Sequence, residues 1–260
     1  MRTDRGIGYE VAGAGEPVVF VHAFPLHRAA WAAQLAALGD RYRCIAVDVP
    51  GFGESDPPAG ALSMDEIARA VADVLDTLGV SQPATIVGNS IGGYTAFAIW
   101  RLFPQRVRAL VLCDTRAQPD TPEGRRARAE TAARVEARGV AVLVEEMLPK
   151  LVGPTTIATR PDVVARVRAM IESAQPKSVV AALQGLAERP DARPTLPTIT
   201  VPTLIVVGKE DAISPPADAR LMHDAIAGSE LLEVDAAGHL AALERPDAFN
   251  ATLAAFLAKL

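Results

Sequence analysis

The chain has 260 residues and a formal charge of −5, with half of its residues hydrophobic and 22% charged. That length suits one domain around a single large core, with room for an insertion, and the apolar content excludes a disordered chain. The acidic balance disfavours nucleic acid phosphates and anionic lipid as partners.

In chain order, short β-branched runs alternate with longer stretches of helical period, the pattern of βαβ units. GIGYEVA (6 to 12) and PVVFVH (17 to 22) read as strands, residues 28 to 38 as a helix, and YRCIAVD (42 to 48) as a strand. Residues 1 to 13 contain no apolar secretory segment, and no apolar run reaches the ~18 residues that span a bilayer, so a cytoplasmic protein without membrane contact is expected. Ser63 and Glu66 form a capping box ahead of Ile67, Val71, Val74, Leu75 and Leu78, with Gly79 placed to end that helix. ATIVGN (84 to 89), a helix over 91 to 103 and RALVLCD (108 to 114) follow. Cys44 and Cys113 each lie inside an apolar strand run, where a free thiol behaves as a small hydrophobe; neither a disulfide nor a metal site is implied.

The alternation then fails. Residues 115 to 201 hold helix patterns and no convincing strand, which predicts a helical cap inserted into a core made of 1 to 114 and 202 to 260. Thr121 and Pro122 open one of its helices and Gly139 closes it; the basic run Arg125, Arg126 and Arg128, set among Glu123 and Glu130, reads as a solvated face. A second helix follows Pro161, a third starts at Pro176, and Pro190, Pro194 and Pro197 mark the return to the sheet. TLIVVG (203 to 208), a helix over 216 to 226, ELLEVD (230 to 235) and a helix over 246 to 257 complete the chain. The fold class is α/β, a mostly parallel sheet flanked by helices, because most strands are apolar throughout and need cover on both faces.

VGNSIGGY (87 to 94) carries a GxSxG pattern directly after a strand and before a helix, the context in which a serine is exposed on a sharp turn. Alone it also suits an ordinary glycine-rich turn, so a base and an acid are needed. Of the four histidines, His22 and His27 flank HAFPLH and His223 lies in a helical pattern. His239 follows the last strand and a glycine, at the sheet edge where catalytic groups collect, and is the candidate base. Asp211, just after TLIVVG, is the candidate acid because it gives the order nucleophile, acid, histidine; Asp114 is its rival. An oxyanion hole would take one N–H from Ile91 and one from the loop after PVVFVH, where Phe24 is the natural donor and Ala23 a weaker one, Pro25 having no N–H. Leu26, Leu148, Ile213 and Leu240 lie near these groups and are candidates for an apolar pocket or for plain core packing.

The ordered set VHAFPLH, DVPGFGES, VGNSIGGY, VVGKEDAISPP and AAGHLAALERP resembles the α/β-hydrolase superfamily over nearly the whole chain. LCDTRAQPDTPEGRR, EEMLPKL and AERPD are similar to small bacterial carboxylesterases, relatives of 3-oxoadipate enol-lactonases and cofactor-free haloperoxidases. The resemblance implies a sheet of about eight strands with a helical cap, and a triad of Ser90, Asp211 and His239 with oxyanion donors Phe24 and Ile91. It also implies short acyl or aryl ester substrates, no metal or organic cofactor, and a monomer or homodimer. Three departures stand out: Ala23 replaces a usual glycine, Asn89 precedes the serine where bulkier residues are common, and only five residues precede GIGYEVA. Lactone hydrolysis or perhydrolysis would run on the same triad. A ligand-binding signalling protein would be marked by a decayed triad or hole, and neither is seen.

Overall fold

The computed structural model describes residues 1–260. Seven strands form one sheet: β1 (Tyr9–Ala12), β2 (Pro17–Val21), β3 (Arg43–Val47), β4 (Ala84–Asn89), β5 (Val107–Cys113), β6 (Thr203–Gly208) and β7 (Glu230–Val234). Their spatial order is β1-β3-β2-β4-β5-β6-β7, with β1 antiparallel to β3 and every other pair parallel. These are the seven apolar runs of the sequence. The eighth strand implied by the resemblance is reduced to a single antiparallel bridge between Arg2 and Gly8. Ahead of β1 the chain makes a tight turn, in which Thr3 N–H donates to Ile7 O at 2.9 Å and Gly6 takes a φ of 77°.

Side chains alternate across the sheet, as the two-residue period of a strand requires. Val19 and Val21 of β2 point into one apolar layer, Val18 and Phe20 into the other. The second layer is closed by α1 (Ala32–Leu38), which follows a 3-10 turn over Arg28–Trp31, and near the end of the chain by α10 (Ala241–Glu244) and α11 (Pro246–Leu257). Trp31 packs between Phe20 and Phe249, with ring centroids 5.3 and 6.1 Å away, and locks the first and last helical units to the sheet. Cys44 and Cys113 are buried in this layer as free thiols, and burial pushes Cys44 up to about 12.

The first layer holds α2 (Met64–Thr77) and α3 (Ile91–Leu102). The capping box starts α2 as expected: Ser63 N–H donates to Glu66 Oε2 at 2.8 Å, and Glu66 N–H donates to Ser63 Oγ at 3.2 Å. Between β5 and β6 the chain forms α4 (Pro122–Arg138), α5 (Ala141–Leu151), α6 (Pro154–Thr159), α7 (Pro161–Glu172) and α8 (Pro176–Ala187). After β6, α9 (Pro216–Ala225) packs back on the first layer.

Two of the five helices between β5 and β6, α5 and α6, go beyond the three expected there, and α5 contains Pro149. A proline past the first turn has no N–H to give the carbonyl four residues back, so α5 runs through Pro149 with that hydrogen bond missing. Arg125 and Arg126 are exposed on α4, but Arg128 turns inward to pair with Asp120. Asp120 also takes Arg189 Nη1 at 2.6 Å, both side chains being 2% exposed, so the start and end of the helical segment are fastened together. Burial opposes ionisation of Asp120, but Arg128 and Arg189 outweigh it and hold the carboxyl below its usual range. No helix is long and apolar enough to cross a membrane.

Candidate active site

The strand order reverses at β2: β3 lies on one side of it and β4 on the other. The crevice at such a switch point, at the carboxyl ends of the strands, is where open α/β sheets bind ligands. The loops holding Phe24 and Ser90 leave β2 and β4 there.

Ser90 is the residue between β4 and α3, with φ 56° and ψ −110°, a conformation that costs an L-residue energy and lifts its side chain off the turn. Glycines make the turn sterically possible. A Cβ on Gly88 would lie 2.2 Å from Gly92 O, and one on Gly92 would lie 2.2 Å from Val21 O. Thr115 Oγ1 donates to Ser90 O at 2.9 Å and Ser90 N–H donates to Cys113 O at 2.9 Å, which hold the strained residue from the β5 side.

His239 follows β7 in a loop that begins with Ala236 at φ 56° and ends at α10. The ring is 1% exposed, and Nδ1 lies 2.8 Å from Asp211 Oδ2. Asp211, just past β6, is buried and fully engaged: Oδ1 accepts Ile213 N–H at 2.8 Å and Ser214 N–H at 3.0 Å. A carboxylate only accepts, so Nδ1–H donates to Asp211 and the neutral His239 ring is left with its unprotonated nitrogen at Nε2. Ser214 completes the group. Its hydroxyl donates to Asp114 O at 2.9 Å and stands 3.2 Å from both Asp211 Oδ2 and His239 Nδ1. Its spacing of three from Asp211 is the sequence signal of an aspartate-capped turn.

Asp114, the rival acid, makes no hydrogen bond to His239. Its Oδ1 accepts Gly208 N–H at 2.8 Å and its Oδ2 accepts Ala241 N–H at 3.0 Å, so it joins the ends of β5 and β6 to the histidine loop. Burial, with the nearby charge of Asp211, pushes its carboxyl well above the usual range.

On the other side of the crevice, His22 is buried between two main-chain groups: Nδ1 lies 3.0 Å from Ala23 O and Nε2 accepts Val49 N–H at 2.9 Å. This orients the loop carrying Phe24, whose peptide bond to Pro25 is cis. Phe24 N–H has no main-chain acceptor, and Ile91, as the first residue of α3, has no acceptor within its helix. Asn89, one of the departures, uses its amide to bind both sides: Nδ2 donates to His239 O at 3.2 Å and Cys113 O at 3.3 Å. Leu26, Leu148 and Leu240 are buried in the first apolar layer and Ile213 packs against it half-buried. His223 sits on α9 with Nδ1 2.9 Å from Ser229 Oγ, away from these groups. A cavity of about 90 Å³ runs along α3 beyond the serine turn, between Tyr94, Phe97 and Ala98 and, opposite them, Arg116 and Arg189.

The fold and this arrangement define a hydrolase class: a parallel sheet with a strained serine after the strand at its switch point and a histidine–aspartate pair after later strands. The family of the alpha/beta hydrolase fold matches residues 16–246, and the chain belongs to it. It is 28% identical to 3-oxoadipate enol-lactonase 2 of Acinetobacter baylyi, over 95% of this chain and 91% of that one. A thermophilic esterase from Thermogutta terrifontis, solved with malate bound, superposes with a TM-score of 0.95 at 41% identity, covering 97% of this chain and 93% of that chain. The enol-lactonase from Burkholderia xenovorans gives a TM-score of 0.91 at 28% identity, with 98% of each chain covered.

Proposed function

We propose that the protein hydrolyses carboxylic esters of short to medium acyl or aryl type through an acyl-enzyme on Ser90. Ser90 Oγ attacks the ester carbonyl, His239 Nε2 takes its proton and returns it to the alcohol leaving group, and water then attacks the acyl-enzyme by the same path. Asp211 fixes the ring and stabilises the imidazolium formed at each step. Phe24 and Ile91 N–H donate to the oxyanion, Ile91 from the positive end of α3. In this reading residues 115 to 201 act as a cap over the crevice, and the chemistry draws on these side chains without a metal or organic cofactor.

The observation that carries the reading is the buried 2.8 Å contact between His239 and Asp211 on the same sheet rim as the strained Ser90. The likeness to the Thermogutta esterase favours an ester substrate. The test is Ser90→Ala assayed on p-nitrophenyl butyrate: turnover falls by roughly 10³-fold or more with an unchanged circular dichroism spectrum. Wild-type turnover in that variant overturns the reading. Lactone hydrolysis on the same groups is the second reading, favoured by the two enol-lactonase relatives; comparing kcat/KM on p-nitrophenyl esters and on enol-lactones separates the two.

A further inference from the structure

Two acidic side chains outside the Ser90, His239 and Asp211 set grip the loops that carry that set. Glu244, in α10, is fully buried and pairs with no basic side chain. Its Oε1 accepts Gly238 N–H at 2.8 Å and Leu240 N–H at 3.3 Å, the residues on either side of His239. Its Oε2 accepts Gly153 N–H at 2.9 Å, just ahead of α6. Glu210, the neighbour of Asp211, reaches the same turn from the acid's side. Its Oε2 accepts Thr155 N–H at 2.9 Å and its Oε1 accepts the Thr155 hydroxyl.

A buried carboxylate without a cation is costly unless its lone pairs are filled by N–H groups, and such an arrangement persists only where the surroundings impose it. The surroundings here are tight. The main chains of Gly153 and Gly238 touch: a Cβ on Gly238 would lie 2.4 Å from Gly153 N, and one on Gly153 would lie 2.7 Å from Gly238 N. Thr156 adds a longer hydrogen bond to Ala236 O at 3.4 Å, at the start of the histidine loop.

Resting on the triad reading above, we propose that Glu244 and Glu210 are positioning residues, a pair of carboxylates that bolt the turn Gly153–Thr155 to the loops bearing His239 and Asp211. The relative placement of imidazole and carboxylate is then set from the helical segment as well as from the sheet. The mechanism is simple. Ala236 holds a left-handed φ at the head of the histidine loop, and rotation of the peptides at 238 and 240 would swing the ring away from Asp211. Glu244 removes that freedom on both sides of His239 and refers it to Gly153. Displacements of about 1 Å in such groups cost up to 10²-fold in rate.

The test is Glu244→Gln, which keeps the shape but has one acceptor oxygen for donors on two opposite sides, so an amide N–H faces a main-chain N–H whichever way it turns. The expected result, per active site counted by stoichiometric phosphonate labelling, is a kcat roughly tenfold lower with KM within about twofold. In the same variant the downfield proton resonance of the His239–Asp211 hydrogen bond shifts or broadens, a signal that a purely structural role leaves in place. An unchanged kcat and an unchanged resonance in the folded variant overturn the proposal. If Glu244→Gln does not fold, Glu210→Gln and Thr155→Val decide by the same two readouts. Ser90→Ala measured alongside separates the two failures. An active Ser90→Ala sinks the triad reading and this proposal with it, whereas an inactive Ser90→Ala with wild-type Glu244→Gln sinks the proposal alone.

Discussion

Asp211 divides its carboxylate between two tasks: Oδ2 holds His239 Nδ1 at 2.8 Å, while Oδ1 accepts Ile213 and Ser214 N–H at 2.8 and 3.0 Å. An asparagine at this position has one acceptor oxygen for both. Asp211→Asn should lower kcat by about 10³- to 10⁴-fold, by disturbing the ring's tautomer or its orientation, with little change in melting temperature. Steady-state kinetics on a p-nitrophenyl ester checks it.

The contrasting variant is Asp114→Asn. Its two main-chain partners, Gly208 and Ala241 N–H, cannot both be satisfied by one amide oxygen. Urea unfolding should show a loss of about 1–3 kcal/mol, while kcat stays within about tenfold of the wild type. A variant as inactive as Asp211→Asn would reverse the assignment of the acid.

His22 sets a pH limit on stability. Burial lowers its pKa from 6.5 to about 4, and its ring nitrogens are matched to one carbonyl and one N–H, which only the neutral ring satisfies. The unfolded chain binds a proton as the pH falls through 6.5 and the folded chain only near 4. Stability from this group is therefore complete above about pH 6.5 and declines towards pH 4, by up to ~3 kcal/mol. Urea midpoints between about pH 7.5 and 4.5 measure the decline. A flatter profile in wild type than in His22→Gln would contradict it.

Asn89 is 4% exposed and ties the serine turn to the histidine loop through His239 O. Asn89→Leu leaves that carbonyl and Cys113 O without the amide. The expected cost is about 1–3 kcal/mol in unfolding free energy, with a fall in kcat larger than any change in KM. A lower melting temperature with unchanged kcat would assign Asn89 to stability alone.

Local signals were strong enough to show most of the fold in the sequence. Each of the seven strands is an apolar run closed by glycine, proline or a polar residue, and the Ser63–Glu66 box marks the start of α2. What the sequence hid has a physical cause in each instance. α5, with Pro149 inside it, and the short α6 both start without a side-chain cap of the kind that marks α2. The eighth strand was implied by resemblance and by no apolar run of this chain, and its place is taken by the single Arg2–Gly8 bridge. Ser90, His239 and Asp211 stand in short motifs and drew attention one by one. Glu244 and Glu210 did not, because their partners, main-chain N–H groups and for Glu210 also the Thr155 hydroxyl, lie far off in the chain, Gly153 being 91 positions from Glu244, and no local pattern of side chains records such bonds.

The contact of Gly153 with Gly238 also bears on how a chain of this design diversifies. α4, α5, α7 and α8 rest on the first layer through apolar side chains such as Val135, Leu148, Val167 and Leu183, which can be exchanged for others of similar volume. The glycine pair has no side chain to exchange. Descendants that acquire new substrates are free to rewrite the helices on either side of this point, and directed evolution libraries aimed at the crevice gain by leaving residues 153 to 155 and 238 untouched.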